Sequence, residues 1–118
     1  MNSPKLTVIV TRESIAAMLN NENPEYVKKV VGKALTAIYE RQTSAEQAND
    51  ATHEHNGIGF AGCDAESGSK TAKFFAKHKT LLDWQVDRWT KIGKNGFARL
   101  CKYHAQLNEV ALSKMAQQ

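Results

Sequence analysis

The chain has 118 residues, 42% of them hydrophobic and 24% charged, with two cysteines and a formal net charge of +4. That length suits one domain around its own core, those proportions suggest neither disorder nor a fibrous repeat, and two isolated cysteines do not make a disulfide scaffold. The longest apolar run, Val8-Ile9-Val10 with Leu6 nearby, is too short to cross a bilayer, and Met1 to Lys5 lack the features of a secretory signal. A cytoplasmic protein with no membrane segment is expected, with Cys63 and Cys101 as free thiols.

Leu6 to Val10 alternate with a β-branched bias, which predicts a short strand or extended arm over residues 1–10. Thr11 is placed to cap a first helix through Ile15, Met18 and Leu19, with Glu13 in its first turn. Asn23-Pro24-Glu25 opens a second helix, whose apolar face is Val27, Val30, Val31, Ala34, Leu35 and Ile38. Ser44 and Gln47 fit a capping box, so a shorter third helix is expected from Ser44 to before His55.

Four of the seven glycines fall between Asn56 and Ser69, and residues 55–69 are expected to form a structured loop. Ser69 then caps a helix through Lys79 that carries Phe74 and Phe75 into the core. Thr80 caps another from Leu81 to Ile92, which Gly93 ends. Asn95-Gly96 leads into a final helix with apolar residues at Phe97, Leu100, Cys101, His104, Leu107, Val110 and Ala111. The expected fold is mainly α, a single domain over residues 1–118 built as an irregular bundle of five or six helices with a short N-terminal extended segment.

Catalytic chemistry finds little to stand on. His53, His55 and Cys63 have neither the paired-knuckle spacing of a structural zinc site nor the i, i+4 spacing of a catalytic one, so no metal is expected. Cys63 with Asp64 and the histidines supplies residue types without a motif, and the glycines from Gly57 to Gly62 follow a helix rather than a strand, unlike a dinucleotide fingerprint. No enzyme activity and no cofactor are expected.

Charge is more informative. Residues 1–60 carry six basic and seven acidic side chains, whereas residues 61–118 carry ten and five. Lys70, Lys73 and Lys77 stand at i, i+3 and i+7 on one helix and form a stripe. Arg88 and Lys91, with Lys94, Arg99 and Lys102 beyond, extend it into a patch suited to a phosphate backbone, unless the stripe is only a solvated helix face. Trp84 and Trp89 point about 140° apart on an ideal helix. Leu82, Val86, Trp89 and Ile92 make the inner stripe; Trp84 sits at the border beside Leu81, where it closes the core edge, stacks on a base or fills a partner's pocket.

The patterns Tyr39-x-Arg41-Gln42-Thr43-x-x-Glu46-Gln47 and Thr52-x-x-x-Asn56-Gly57-Ile58-Gly59-Phe60-x-x-x-Asp64-Ala65 resemble a small-protein family of phages, plasmids and integrative elements. The Gly-x-Gly-Phe-x-x-x-Asp core is also similar to an accessory region of some bacterial and phage DEAD-type helicases. There a Tyr-x-x-Gln-Leu helix follows, in the place held here by Tyr103, Gln106 and Leu107. The resemblance spans about three-fifths of the chain and implies a nucleic-acid context by association. Cys63 departs from the helicase-linked pattern, and the missing ATPase motif leaves an accessory or regulator.

The motif also has a direct physical reading, in which Phe60 is an apolar plug, Gly57 and Gly59 fold the chain around it, and Asp64 caps the following turn or helix. Asn56, Gly57, Gly59, Phe60 and Asp64 are accordingly expected to be structural. The expected function is a non-enzymatic accessory protein of phage or mobile-element DNA metabolism, contacting single- or double-stranded DNA through Lys70, Lys73, Lys77, Arg88, Lys91, Arg99 and Lys102. Two alternatives stand beside it: a modulator that docks on a host protein or defence nucleoprotein complex through Trp84, and a homodimer joined through Leu6 to Val10.

Overall fold

The computed structural model describes residues 10–49 and 59–116, which form five α-helices: α1 (Arg12–Leu19), α2 (Pro24–Asn49), α3 (Ala65–His78), α4 (Asp83–Thr90) and α5 (His104–Ala116). Two 3-10 segments, Gly62–Asp64 and Arg99–Tyr103, lead into α3 and α5. The fold is mainly α, as expected. Among the described residues no helix is long and apolar enough to cross a membrane. The N-terminal arm, apart from Val10, lies outside the described residues, as do His53, His55, Asn56 and Gly57.

The first two helices begin where their caps stand. Thr11 Oγ1 accepts from the Ser14 N–H at 3.0 Å and Ser14 Oγ accepts from the Thr11 N–H at 2.9 Å, a reciprocal box around the first turn. Asn23 Oδ1 accepts from the Glu25 N–H at 3.0 Å, with Pro24 at the first helical position. Val27, Val31, Leu35 and Ile38 of α2 are buried, joined in one core by Ile15, Ala72, Leu81, Trp89, Leu100, Cys101 and Tyr103. Phe74 and Phe75 pack against that core from α3.

Later boundaries differ from the expected ones. No separate helix starts at Ser44: α2 continues to Asn49, and the Thr43 hydroxyl donates back to the Tyr39 carbonyl at 3.2 Å, leaving the ladder unbroken. The loop expected over residues 55–69 ends early, because the 3-10 turn at Gly62–Asp64 runs into α3 at Ala65. Ser69 is therefore inside a helix rather than at its cap. Gly68 is also helical, and a Cβ there would lie 2.6 Å from the Phe60 ring, so the position needs glycine for space.

Helix α4 starts at Asp83, not after Thr80. Leu82 is extended, and its N–H donates to Gln85 Oε1 at 2.8 Å, a side-chain closure of the first turn. The inner face is Leu81, Gln85 and Trp89 with Val86 half-buried; Leu82 and Ile92, expected inside, are 46% and 61% exposed. Trp84 does not close the core edge, since it is 65% exposed. Ile92 escapes burial because the helix stops at Thr90 and the chain doubles back. The Arg99 N–H donates to the Lys91 carbonyl at 3.0 Å and the Gly93 N–H to the Phe97 carbonyl at 2.9 Å, closing a loop around Gly96 at φ +84°.

The expected final helix is likewise divided. Residues Arg99–Tyr103 wind as 3-10 before α5. In that geometry side chains at i and i+3 eclipse, which puts Arg99 over Lys102 on one side and Leu100 over Tyr103 on the other. Leu100 and Tyr103 enter the core, while the two cations turn toward Asp64.

Candidate nucleic-acid interface

The segment Gly59-Phe60-Ala61 is held by three polar side chains from distant parts of the chain. Gln106 grips Gly59 twice, accepting from its N–H and donating to its carbonyl, each at 2.8 Å. Gln42 Oε1 accepts from the Phe60 N–H at 3.0 Å, and the Tyr103 hydroxyl accepts from the Ala61 N–H at 3.0 Å. Phe60 is the expected plug, its ring 5.8 Å from Tyr103 at 84° and 6.1 Å from Trp89. Tyr103, Gln106 and Gln42, quoted above only as parts of a pattern, thus converge on the loop.

Gly59 has φ +90°, and a Cβ there would lie 2.7 Å from Gln42. Replacing it with alanine combines backbone strain with displacement of the group that satisfies Phe60. Gly59→Ala should therefore cost about 2–4 kcal/mol in urea unfolding. Gly62→Ala, where no atom lies within 4 Å of the new Cβ, should change stability by less than about 0.5 kcal/mol.

Asp64 does not cap α3. It has helical backbone angles and its side chain makes no capping bond, because the preceding 3-10 turn already continues into the helix. Its carboxylate is 0% exposed and instead faces the segment Arg99–Tyr103. Arg99 Nε donates to Oδ1 at 2.7 Å and Arg99 Nη2 donates to the same oxygen. Lys102 Nζ and the Tyr103 hydroxyl donate to Oδ2, each at 2.6 Å.

Burial pushes the Asp64 carboxyl up, but the hydrogen bonds from Lys102, Tyr103 and Arg99 outweigh it and hold the group below its ordinary value. Burial, and then the bond to Asp64, push the Tyr103 phenol well above its ordinary range, so it remains a donor. A buried anion with this donor set is an anchor between the motif loop and the start of α5.

Above that anchor the chain opens into a groove of about 550 Å³. Five cations line it: Arg88, Lys91, Lys94, Arg99 and Lys102, with Ile92 and Phe97 as apolar wall. No carboxylate is among its lining residues, and Asp64 lies buried behind Arg99 and Lys102. Arg88 is steadied by Ser67 of α3, Nε to Oγ 2.8 Å. Four of the seven cations singled out from sequence meet here, and Lys94 joins them.

Lys70, Lys73 and Lys77 are exposed on α3 but line no part of the groove, so the single expected patch divides in two. Lys70 pairs with Glu66 at 3.0 Å and Lys73 lies 5.7 Å from the Tyr39 ring centre, which leaves the stripe partly neutralised.

The thiols differ sharply. Cys63 is exposed with Sγ 3.9 Å from both Arg99 Nη2 and Lys102 Nζ, whereas Cys101 is buried, and burial pushes its thiol up. A soluble aromatic disulfide reagent should therefore titrate one thiol per native chain quickly and the second only after denaturant is added.

No family model, curated protein or solved structure matches this chain. Residue geometry is thus what bears on its function.

Proposed function

We propose that this chain is a non-enzymatic accessory protein of phage or mobile-element DNA metabolism that binds DNA phosphates in the groove between α4 and the segment Arg99–Tyr103. The observation that carries this reading is the gathering of five cations around one concavity with no carboxylate on its wall. Basic character concentrated in residues 61–118 and the resemblance to mobile-element proteins support the same reading.

Asp64 offsets one unit of the five, leaving about four charges for phosphate. Contact through them is independent of base sequence and weakens with salt, by a log–log slope of about −3 for a single strand. Anisotropy of labelled DNA titrated with the protein across a salt series tests it. Absence of binding at low salt, or binding indifferent to salt, defeats the proposal. A protein partner docking through Trp84 is the competing reading, favoured by the exposure of Trp84 and Leu82.

A further inference from the structure

Helix α4 treats its two tryptophans in opposite ways. Trp89 is fully buried, packed near Phe60 and Tyr103, while Trp84 is 65% exposed, and among the described residues no ring or cation stacks on it. Trp84 and Arg88 stand one helical turn apart on α4, and Lys91 follows where the helix ends and the backbone turns extended. The bare indole is therefore one turn from a cation of the groove, whose wall also carries the exposed Ile92.

Resting on the phosphate-binding reading above, we infer that this surface selects single-stranded over duplex DNA: the groove follows the phosphates while Trp84 stacks on an unpaired base. The distinction comes from which surfaces each form of DNA presents. A duplex hides its base faces in its own stack and offers phosphates and base edges, which the five cations engage but an indole face does not. A single strand offers both phosphate and an open π-face, and a cationic track with an aromatic platform is the combination that holds it without regard to sequence. Salt weakens the phosphate contacts and leaves the stack comparatively intact.

The test uses the intact chain with labelled oligothymidylate and a duplex of equal length at low salt, for the wild type, Trp84→Ala and Trp84→Phe. The single strand should bind more tightly. Trp84→Ala should lose about five- to a hundred-fold of that affinity, the loss expected from one base–aromatic stack, with duplex affinity unchanged. Trp84→Phe should keep most of the affinity. The quenching of tryptophan fluorescence by oligothymidylate should vanish in that variant, because buried Trp89 is shielded from the strand. Trp84 is a surface residue, so both variants should unfold at the wild-type temperature.

Equal affinity for the two DNA forms, unmoved by Trp84→Ala, overturns the single-strand inference and leaves phosphate binding standing. Binding to neither form overturns phosphate binding itself and turns Trp84 toward a protein partner.

Discussion

Replacing Asp64 with asparagine should lower the unfolding free energy at neutral pH by about 3 kcal/mol. Breaking a buried ion pair from one side usually costs about 3–5 kcal/mol, because the remaining charge is left without its counterion. Here the Arg99 and Lys102 side chains are 35% and 39% exposed, so water recovers part of that loss and the lower end applies. Asparagine keeps one acceptor oxygen but turns an NH2 group toward donors, either Arg99 on one side or Lys102 and Tyr103 on the other.

The pH dependence follows from the lowered folded value. An Asp64 carboxyl held below its ordinary 3.8 contributes stability that is fully present above about pH 4. This contribution fades as the pH falls through the folded value. Urea unfolding at pH 7 should separate wild type from Asp64→Asn, and the gap should narrow as the pH falls below 3.8. Equal midpoints at pH 7 would show that the carboxylate does not anchor the loop.

The second large effect is expected on binding. Arg88, Lys91 and Lys94 line the groove without touching Asp64, so reversing all three to glutamate removes the phosphate contacts proposed for them and spares the anchor. Each lost contact lowers the magnitude of the single-strand salt slope by about 0.7, so the triple variant should lose about three-quarters of it and at least about tenfold of its low-salt affinity. Lys70, Lys73 and Lys77 changed together to glutamate should alter the slope far less, since Lys70 already faces Glu66 and none of the three lines the groove. The opposite ranking in anisotropy titrations would move the interface to α3.

Local signals in the sequence were readable where they acted alone. Thr11 and Asn23-Pro24 set the starts of α1 and α2 because their side chains and ring act on residues within one turn. Ser69 and Thr80 carry equally good capping chemistry and were overridden: Ala65 already continues the turn at Gly62–Asp64, and Gln85 closes the first turn of α4. Phe60 was legible as a plug between glycines. The partners of Asp64 were not, since Arg99 and Tyr103 are 35 and 39 positions away in sequence and only packing brings them together. The Gln42 and Gln106 contacts are hidden for the same reason. Five basic residues were visible as a basic half of the chain, but their concavity depends on the turn that ends α4 at Thr90.

The hold of Asp64 on Arg99 and Lys102 has an entropic consequence. Long basic side chains usually surrender rotamer freedom when they meet a ligand, at about 0.5–1.5 kcal/mol each. Two of the five groove cations are already oriented when the chain folds, with outward-facing surface still open to solvent. The proposed phosphate binding then has to order chiefly Lys91 and Lys94, since Arg88 already bonds to Ser67. Asp64, although it lines no part of the groove, thus acts as a template for two of the cations that do.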